Sequence, residues 1–270
     1  MTDRPFAPLP SHSPPPGAVP QAALITGAAR RIGRGIALAL ASRGFAIALH
    51  CRDSRSDARA TQAEIEALGV RCVVLEAALG DEAAVRRLVP QAVAALGPLG
   101  VLVNNASTFE RDEVEDATRA SWDAHLEPNL RAPFVLIQDF AAQLPPEARG
   151  LVVNMLDQRV WSLTPHFVSY TVSKAALWTL TQTMALALAP RIRVNGIGPG
   201  PTVPSPRQSE AQFLAQCESV PLGHGSSPEE IGHAVLAMLD LPSLTGQMLA
   251  LDGGQHLQWS PAGRRPAIEE

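Results

Sequence analysis

Short apolar runs alternate with helix-like patterns along most of this 270-residue chain, and this alternation restricts the fold more than any other feature. Each run is short and rich in aliphatic residues, as buried strands are. Between the runs, apolar residues recur with helical spacing, as at Ile32, Ile36 and Leu40. The strands are predicted at 22–26, 45–50, 70–75, 99–103, 151–155, 192–196 and 247–251. Strands alternating with helices indicate an α/β fold, with a parallel sheet covered on both faces.

Length and composition favour a single domain. A chain of this length with 46% hydrophobic residues can bury one large core. Residues 1–20 hold seven prolines and no continuous apolar run, which predicts a disordered tail. Residues 259–270 are predicted to form a polar C-terminal tail. The domain is therefore expected at 21–258.

Composition also argues against several classes of partner. The net charge is −4 and the arginines are scattered, so the sequence shows no basic patch that would indicate binding to nucleic acid. No apolar stretch approaches the length of a membrane span. The three cysteines are widely separated and form no CxxC pair, so we expect neither a disulfide framework nor a metal site. A reducing cytoplasm is the simplest location.

A proline-rich segment late in the chain is predicted to be a lid. Prolines at 199, 201, 204 and 206 interrupt regular structure, and a short helix is expected only around 208–218. Long loops inside compact domains often close over ligands. We refer to residues 200–227 as the lid segment.

Tyr170 is the only tyrosine of the chain, and Lys174 follows it by four residues in a predicted helix at 168–189. Residues four apart share a helix face, so phenol and ammonium point into the same space. A nearby cation favours the phenolate, which would make the pair a proton donor and acceptor. Taken alone, the same pattern also fits an ordinary helix face.

Other polar and glycine motifs follow the ends of the predicted strands. The first strand ends in a turn from Thr26 to Gly33, where backbone amides and a helix N-terminus can hold a pyrophosphate. Asn104 and Asn105 follow the fourth strand, and Gly198-Pro199-Gly200 follows the sixth. This is the edge at which doubly wound sheets bind ligands. A plain helix start with solvated arginines is the alternative for the first turn alone.

With these motifs in this order, the chain resembles the short-chain dehydrogenase/reductase family over roughly residues 21–258. The resemblance implies a Rossmann-type doubly wound sheet of about seven parallel strands and a nicotinamide cofactor. It also implies a catalytic group of Asn129, Tyr170 and Lys174. In that family the tyrosine donates the proton, the lysine lowers its pKa and bonds the nicotinamide ribose, and the asparagine holds a water.

Departures from the common family pattern narrow the resemblance to the pteridine reductase branch. Arg31 stands where the first turn usually has glycine, and Asp157 stands 13 residues before Tyr170, where a serine is usual. The segment from Asn105 to Phe109 matches that branch as well. There the phenylalanine stacks the pterin against the nicotinamide. The implied substrate-binding residues are Arg31, Ser107, Phe109, Asp157 and Tyr170.

The end of the second strand favours NADPH as the cofactor. Arg52 and Ser54, with His50, can hold a 2′-phosphate, although Asp53 lies between them. The adenine is expected against the backbone near Leu79. The cofactor-binding residues implied by the resemblance are Gly27, Arg30, Arg31, Ile32, Gly33, His50, Arg52, Ser54, Leu79, Asn105, Ala106, Ser107, Lys174, Pro199 and Gly200.

The sequence therefore predicts an NADPH-dependent reductase that converts a dihydropterin or dihydrofolate to the tetrahydro form. One alternative is a family member acting on a ketone or alcohol. Another is a non-enzymatic dinucleotide-binding sensor. The resemblance also implies a homotetramer.

Overall fold

The structure is a computed structural model that describes residues 17–205 and 207–257. In this part of the chain, seven strands form one parallel sheet in the order β3-β2-β1-β4-β5-β6-β7. The strands are β1 Ala22–Ile25, β2 Ala46–Cys51, β3 Cys72–Glu76, β4 Val101–Asn104, β5 Gly150–Met155, β6 Ile192–Pro199 and β7 Met248–Leu251. The predicted α/β class and strand number are confirmed. The sixth strand extends three residues beyond its predicted end.

Helices connect the strands, as the periodicity predicts. They are α1 Arg31–Ser42, α2 Arg55–Ala67, α3 Glu82–Leu96, α4 Arg119–Leu126, α5 Ala132–Gln143, α6 Val168–Leu188, α7 Glu210–Ser219 and α8 Pro228–Asp240. A π-helical turn, Glu127–Arg131, joins α4 to α5. Two short 3₁₀ turns, Gln158–Val160 and Gln255–Leu257, follow β5 and β7. None of the described helices is long and apolar enough to cross a bilayer.

The sheet is covered on both faces because successive strand residues point to opposite sides. In β1, Ala22 and Leu24 belong to one apolar cluster, whereas Ala23 and Ile25 belong to another. The first cluster includes residues of α3 and α5, and the second includes residues of α1 and α8. This two-sided burial explains why the strands read as continuous apolar runs.

The order of the strands places the site. The chain runs outward from β1 to β3 and then returns to pair β4 with β1 on its other side. A crevice opens at the carboxyl ends of the strands where the order reverses. The turn after β1 and the polar residues after β4 and β5 therefore meet at one edge of the sheet.

The boundary of the N-terminal tail needs a correction. The backbone N–H of Arg149 donates to the carbonyl of Ala18, and Val19 packs against the core. A Cβ on Gly100 would lie 2.1 Å from the carbonyl oxygen of Pro20. The last residues of the predicted tail are thus part of the folded domain. The rest of that tail, residues 1–16, and the predicted tail at 259–270 lie outside the described residues.

Two glycines set the distance between α8 and α1, the helix that follows the first turn. A Cβ on Gly35 would lie 2.5 Å from the carbonyl oxygen of Pro228, and one on Gly232 would lie 2.9 Å from the carbonyl oxygen of Gly35. Real Cβ atoms do not approach backbone this closely. The two helices can pack at this distance only without side chains at these positions.

Replacement of Gly35 by alanine is expected to force α1 and α8 apart and to lower the free energy of unfolding by about 1–3 kcal/mol, as overpacking does. Gly80→Ala is the control, because a Cβ there meets no atom within 4 Å. Its effect is expected to stay within about 0.5 kcal/mol. Denaturant unfolding of both variants measures the difference. Equal stability of the two variants would contradict the close packing of α1 on α8.

Candidate functional site

The turn after β1 is held tightly against the end of β4. The side-chain amide of Asn105 donates to the carbonyls of Thr26 and Gly27, at 2.8 and 3.1 Å. The Thr26 hydroxyl oxygen accepts from the backbone N–H groups of Asn105 and Ala106, at 2.9 and 3.0 Å. Gly27 has a φ of +64°, and a Cβ on Gly33 would lie 2.2 Å from the Gly27 carbonyl oxygen. The turn thus allows its backbone and the N-terminus of α1 to come close to a ligand. This arrangement fits a dinucleotide phosphate.

His50 is buried under this turn, and its predicted role in phosphate binding must be corrected. Its Nδ1 accepts from the Gly27 N–H at 3.1 Å, and its Nε2 lies 3.1 Å from the carbonyl oxygen of Ala77. The proton therefore sits on Nε2. Burial lowers the pKa of His50 to about 4, so the ring is neutral near neutral pH. With both nitrogens engaged and no charge, His50 supports the turn and cannot hold a phosphate.

The predicted 2′-phosphate group lies at the exposed end of β2. Arg52 donates from Nε to Asp53 at 3.1 Å, and both side chains are mostly exposed. Such surface pairs contribute little and exchange readily. Ser54 occupies the N-cap position of α2 without a side-chain capping bond, and Leu79 is buried after β3. The Asp53 carboxylate is thus paired with the neighbouring Arg52.

Arg31 reaches the lid segment. Its guanidinium donates from Nη1 to the carbonyl of Pro204 at 2.8 Å and from Nη2 to that of Val203 at 3.3 Å. The backbone of Arg31 has a φ of +57°, the left-handed region that glycine normally occupies. Arg31 therefore keeps the backbone conformation of the usual glycine while its side chain fastens the lid to the first turn. Neighbouring Arg30 instead faces Asp57, at 3.8 Å.

The proposed catalytic residues meet at the start of α6. The Tyr170 hydroxyl donates to Oδ2 of Asp157 at 2.7 Å. Lys174 lies one turn further along and donates from Nζ to the carbonyl of Met155 at 2.8 Å. Both Tyr170 and Lys174 are buried. Tyr170 and Lys174 thus lie on one face of α6, as predicted, and Asp157 lies beside them.

Asn129 lies in the π-helical turn and links two elements of the site. Its Nδ2 donates to the carbonyl of Thr108 at 2.9 Å and to Oγ of Ser173 at 3.1 Å. Its Oδ1 accepts from the Thr108 N–H at 2.8 Å and from the Ser107 hydroxyl at 3.2 Å. The side chain is fully used in joining the loop after β4 to α6. A water held by this residue would have to bond to its backbone.

The pKa of Tyr170 does not follow the simple expectation for a tyrosine beside a lysine. Burial raises the pKa of Tyr170 well above its usual value, and the Asp157 carboxylate raises it further. Burial also lowers the pKa of Lys174 to about 8, with Asp157 opposing that shift. The pKa of Tyr170 is therefore shifted upward, because burial and the carboxylate at hydrogen-bond distance outweigh the opposing effect of Arg159.

Aromatic rings form one wall of the site. Phe109 stacks on Phe167 with ring centroids 4.6 Å apart and planes 12° apart. Phe109 also meets Tyr170 edge to face at 4.6 Å. Phe167 covers one face of Phe109, and the guanidinium groups of Arg159 and Arg207 lie 5.3 and 5.1 Å from its ring centroid. Phe167 has a φ of +58° immediately before α6, and this strained residue positions the ring.

A cavity of about 280 Å³ collects these groups. The predicted residues that line it are Arg31, Ile32, Asn105, Ser107, Phe109, Asp157, Tyr170, Lys174, Pro199 and Gly200. The remaining predicted residues lie outside its lining: Gly27, Arg30, Gly33, His50, Arg52, Ser54, Leu79, Ala106 and Asn129. Phe213 and Gln216 of α7 complete the wall, so the lid segment does face the site.

The main residue that the sequence reasoning missed is Arg159. Its side chain is buried and lines the cavity, with the guanidinium 5.3 Å from the Phe109 ring centroid and 5.0 Å from that of Phe167. Its Nη1 lies 3.9 Å from Oδ2 of Asp157. The only signal in the sequence was an arginine two residues after the unusual aspartate.

Known proteins resemble this chain over most of its length. Residues 21–213 match the profile of the short chain dehydrogenase family. The chain is 48% identical to FolM alternative dihydrofolate reductase 1 from Brucella suis, whose crystal structure in complex with NADP it matches with a TM-score of 0.86. The Brucella canis counterpart, also complexed with NADP, is 46% identical with a TM-score of 0.85. In both comparisons the match covers 89% of this chain and 96% of the other.

A relative with another activity in its name is also similar. The 3-oxoacyl-[acyl-carrier-protein] reductase FabG of Staphylococcus epidermidis is 32% identical over 244 residues, which cover 88% of this chain and 99% of FabG.

Replacing Arg31 by glycine is expected to release the lid segment without disturbing the turn. Glycine relieves a left-handed backbone that costs a side-chain-bearing residue about 1–2 kcal/mol, whereas both bonds to the lid carbonyls are lost. Hydrogen exchange of amides at 200–205 should therefore accelerate, with the melting temperature preserved or raised. Arg30→Ala is the matched control from the same turn. Unchanged exchange in the Arg31 variant would show that Arg31 does not hold the lid.

Proposed function

The chain belongs to the short-chain dehydrogenase/reductase family and is an NADPH-dependent short-chain reductase, and from this premise we propose that it reduces a dihydropterin or dihydrofolate to the tetrahydro form. The observation that carries the proposal is the hydrogen bond from Tyr170 to the carboxylate of Asp157, at 2.7 Å. A carboxylate in this position suits proton delivery to a ring nitrogen. The FolM relatives, named as dihydrofolate reductases, support the same substrate class.

The residues at the sheet edge fit NADPH. The tight turn at Gly27 and Gly33 would receive the pyrophosphate at the N-terminus of α1. Arg52 and Ser54 would hold the 2′-phosphate, and Lys174 the nicotinamide ribose. Pro199 and Gly200 also line the cavity. When bound, NADPH supplies the hydride.

Tyr170 would deliver the proton that accompanies the hydride. Because burial and Asp157 raise the pKa of Tyr170, the phenol stays protonated throughout the physiological pH range. Its proton is released only to a group that becomes basic, as a ring nitrogen does when the adjacent carbon is reduced. The negative charge left on Tyr170 and Asp157 would be stabilised by Lys174 and Arg159. Phe109, which lines the cavity, would support the flat ring.

Reduction of a ketone is the second candidate. It is favoured by the similarity to FabG, whose name gives a 3-oxoacyl substrate, and by the tyrosine and lysine that both reactions use. Under this proposal Asp157 would be dispensable, because a serine hydroxyl performs the corresponding task in the wider family.

Substitution of Asp157 by serine separates the two candidates. For a pterin reductase, we expect turnover of dihydrobiopterin, dihydromonapterin and dihydrofolate to fall about 100-fold or more, as on loss of a general acid–base partner. For a ketone reductase, ketone turnover is kept or raised. NADPH oxidation measures both, and Tyr170→Phe, which removes the donor, is the control that suppresses either reaction. Absence of pterin turnover by folded, NADPH-binding wild-type protein would contradict the proposal.

The rate is also expected to decline as the pH rises through about 8, the pKa to which burial lowers Lys174. Burial makes the protonated ammonium of Lys174 less stable than it is in water. The positive charge that binds the ribose and balances Tyr170 is therefore lost above that pH. The measurement is the pH profile of kcat/KM and of NADPH affinity. Lys174→Arg retains its charge at higher pH and should lose this decline. A flat wild-type profile across pH 8 would contradict it.

The assembly and the location of the protein stay predictions. A homotetramer is supported by exposed apolar side chains on the described surface, among them Leu186 on α6 and Leu241 after α8. Leu257 is exposed after β7 as well. The cytoplasmic location rests on the cysteines Cys51, Cys72 and Cys217, which are free thiols. Sedimentation analysis tests the first, and fractionation of cells tests the second.

A further inference from the structure

The carboxylate of Asp157 brings a charge into a place where the wider family has a neutral hydroxyl. The Asp157 side chain is only 18% exposed, and it lies beside the ring of Tyr170. A carboxylate in such surroundings is costly unless it is hydrogen-bonded and paired with a cation. The exchange of serine for aspartate therefore creates a requirement that the serine enzymes do not have.

Both carboxylate oxygens of Asp157 have identified partners. Oδ1 accepts from the backbone N–H of Arg159 at 2.8 Å. Oδ2 accepts from the Tyr170 hydroxyl at 2.7 Å and lies 3.9 Å from Nη1 of Arg159. Arg159 thus contacts Asp157 through its backbone and through its side chain, because the 3₁₀ turn that starts after Asp157 brings them together.

The guanidinium of Arg159 is held in this position by the aromatic wall. It lies 5.0, 5.3 and 6.0 Å from the ring centroids of Phe167, Phe109 and Tyr170, and the side chain is 9% exposed. A cation over aromatic faces is stabilised, most strongly when it is shielded from water. The rings therefore fix the Arg159 guanidinium on the side of Asp157 that faces Tyr170.

Other charged groups nearby have different partners. Lys174 donates to the carbonyl of Met155. Arg207 lies over the Phe109 ring at 5.1 Å, but it is bonded to Glu110 and to the carbonyl of Phe109. Arg111 lies over Phe167 and is paired with Glu113. Neither Arg207 nor Arg111 is paired with Asp157.

We infer that Arg159 is a positioning residue for proton transfer: it balances the charge of Asp157 and holds that carboxylate against the Tyr170 hydroxyl. The inference rests on the proposed function, because it gives Asp157 and Tyr170 the proton-transfer role. Aspartate at 157 and arginine at 159 then form one functional unit. Removing the aspartate removes the need for the arginine.

A double-mutant cycle tests this unit. Arg159→Met in the wild type is expected to lower kcat about tenfold or more, with NADPH affinity preserved, because Asp157 loses its charge partner and Tyr170 its orientation. In the Asp157→Ser background, the same change should alter kcat by no more than about twofold. Deviations of that size occur even between mutations at independent sites. Arg159→Lys keeps the charge and should restore part of kcat. Arg207→Met, which also loses a cation over Phe109, is the matched control and should have the same effect in both backgrounds.

A second cycle, in melting temperature and without substrate, separates this inference from the proposed function. Arg159→Met is expected to lower the melting temperature by about 4 °C or more in the wild type and much less in the Asp157→Ser background. If no pterin is reduced but this coupling is found, the proposed function fails and the pairing stands. Equal effects of Arg159→Met in both backgrounds, in kcat and in melting temperature, would overturn the inference, since Arg159 would then act only through the rings. No effect of Arg159→Met in the wild type would overturn it too.

Discussion

The site depends on the hydrogen bonds that join the end of β1 to the end of β4. The strand order reverses here, so no helix or turn connects the two ends directly. Thr26 and Asn105 bridge them with four bonds, two to the threonine hydroxyl and two from the asparagine amide. Asn129 continues the link from the loop after β4 to α6, through Thr108 and Ser173. The cofactor turn and the catalytic helix are thereby held in one rigid frame.

Within that frame, a single exchange of side chain changes the electrostatics of the site. A serine beside Tyr170 would leave the phenol near two cations and no anion. Burial raises the pKa of Tyr170, and the carboxylate of Asp157 raises it further. The phenol is then a weak acid that stays protonated until a stronger base arises next to it. Such a donor suits a nitrogen that gains basicity during reduction, and the two cations near it limit the cost of the charge left behind.

The sequence predicted the fold and the shared helix face of Tyr170 and Lys174 because both depend on local patterns. Strand and helix periodicity follow from burial, and Tyr170 and Lys174 meet because they are one helical turn apart. The sequence did not predict contacts between residues distant in the chain. The bonds of Arg31 to the lid join residues more than 170 positions apart, and no local pattern encodes them. His50 was misjudged because its residue type suggests a phosphate ligand, whereas its burial decides its charge. Arg159 was missed because its role depends on the three rings around it.

Two residues with side chains, Arg31 and Phe167, adopt left-handed backbone conformations in the described part of the chain. Each conformation costs about 1–2 kcal/mol and persists only where other contacts compensate. For Phe167, the compensation is its stacking on Phe109 in a fully buried position. For Arg31, it is the pair of bonds to the lid carbonyls. The strained backbone is therefore stable only while the lid and the aromatic wall are in place. The left-handed first turn is thus coupled to the lid through Arg31, and the start of α6 is coupled to the loop after β4 through the stacking of Phe167 on Phe109.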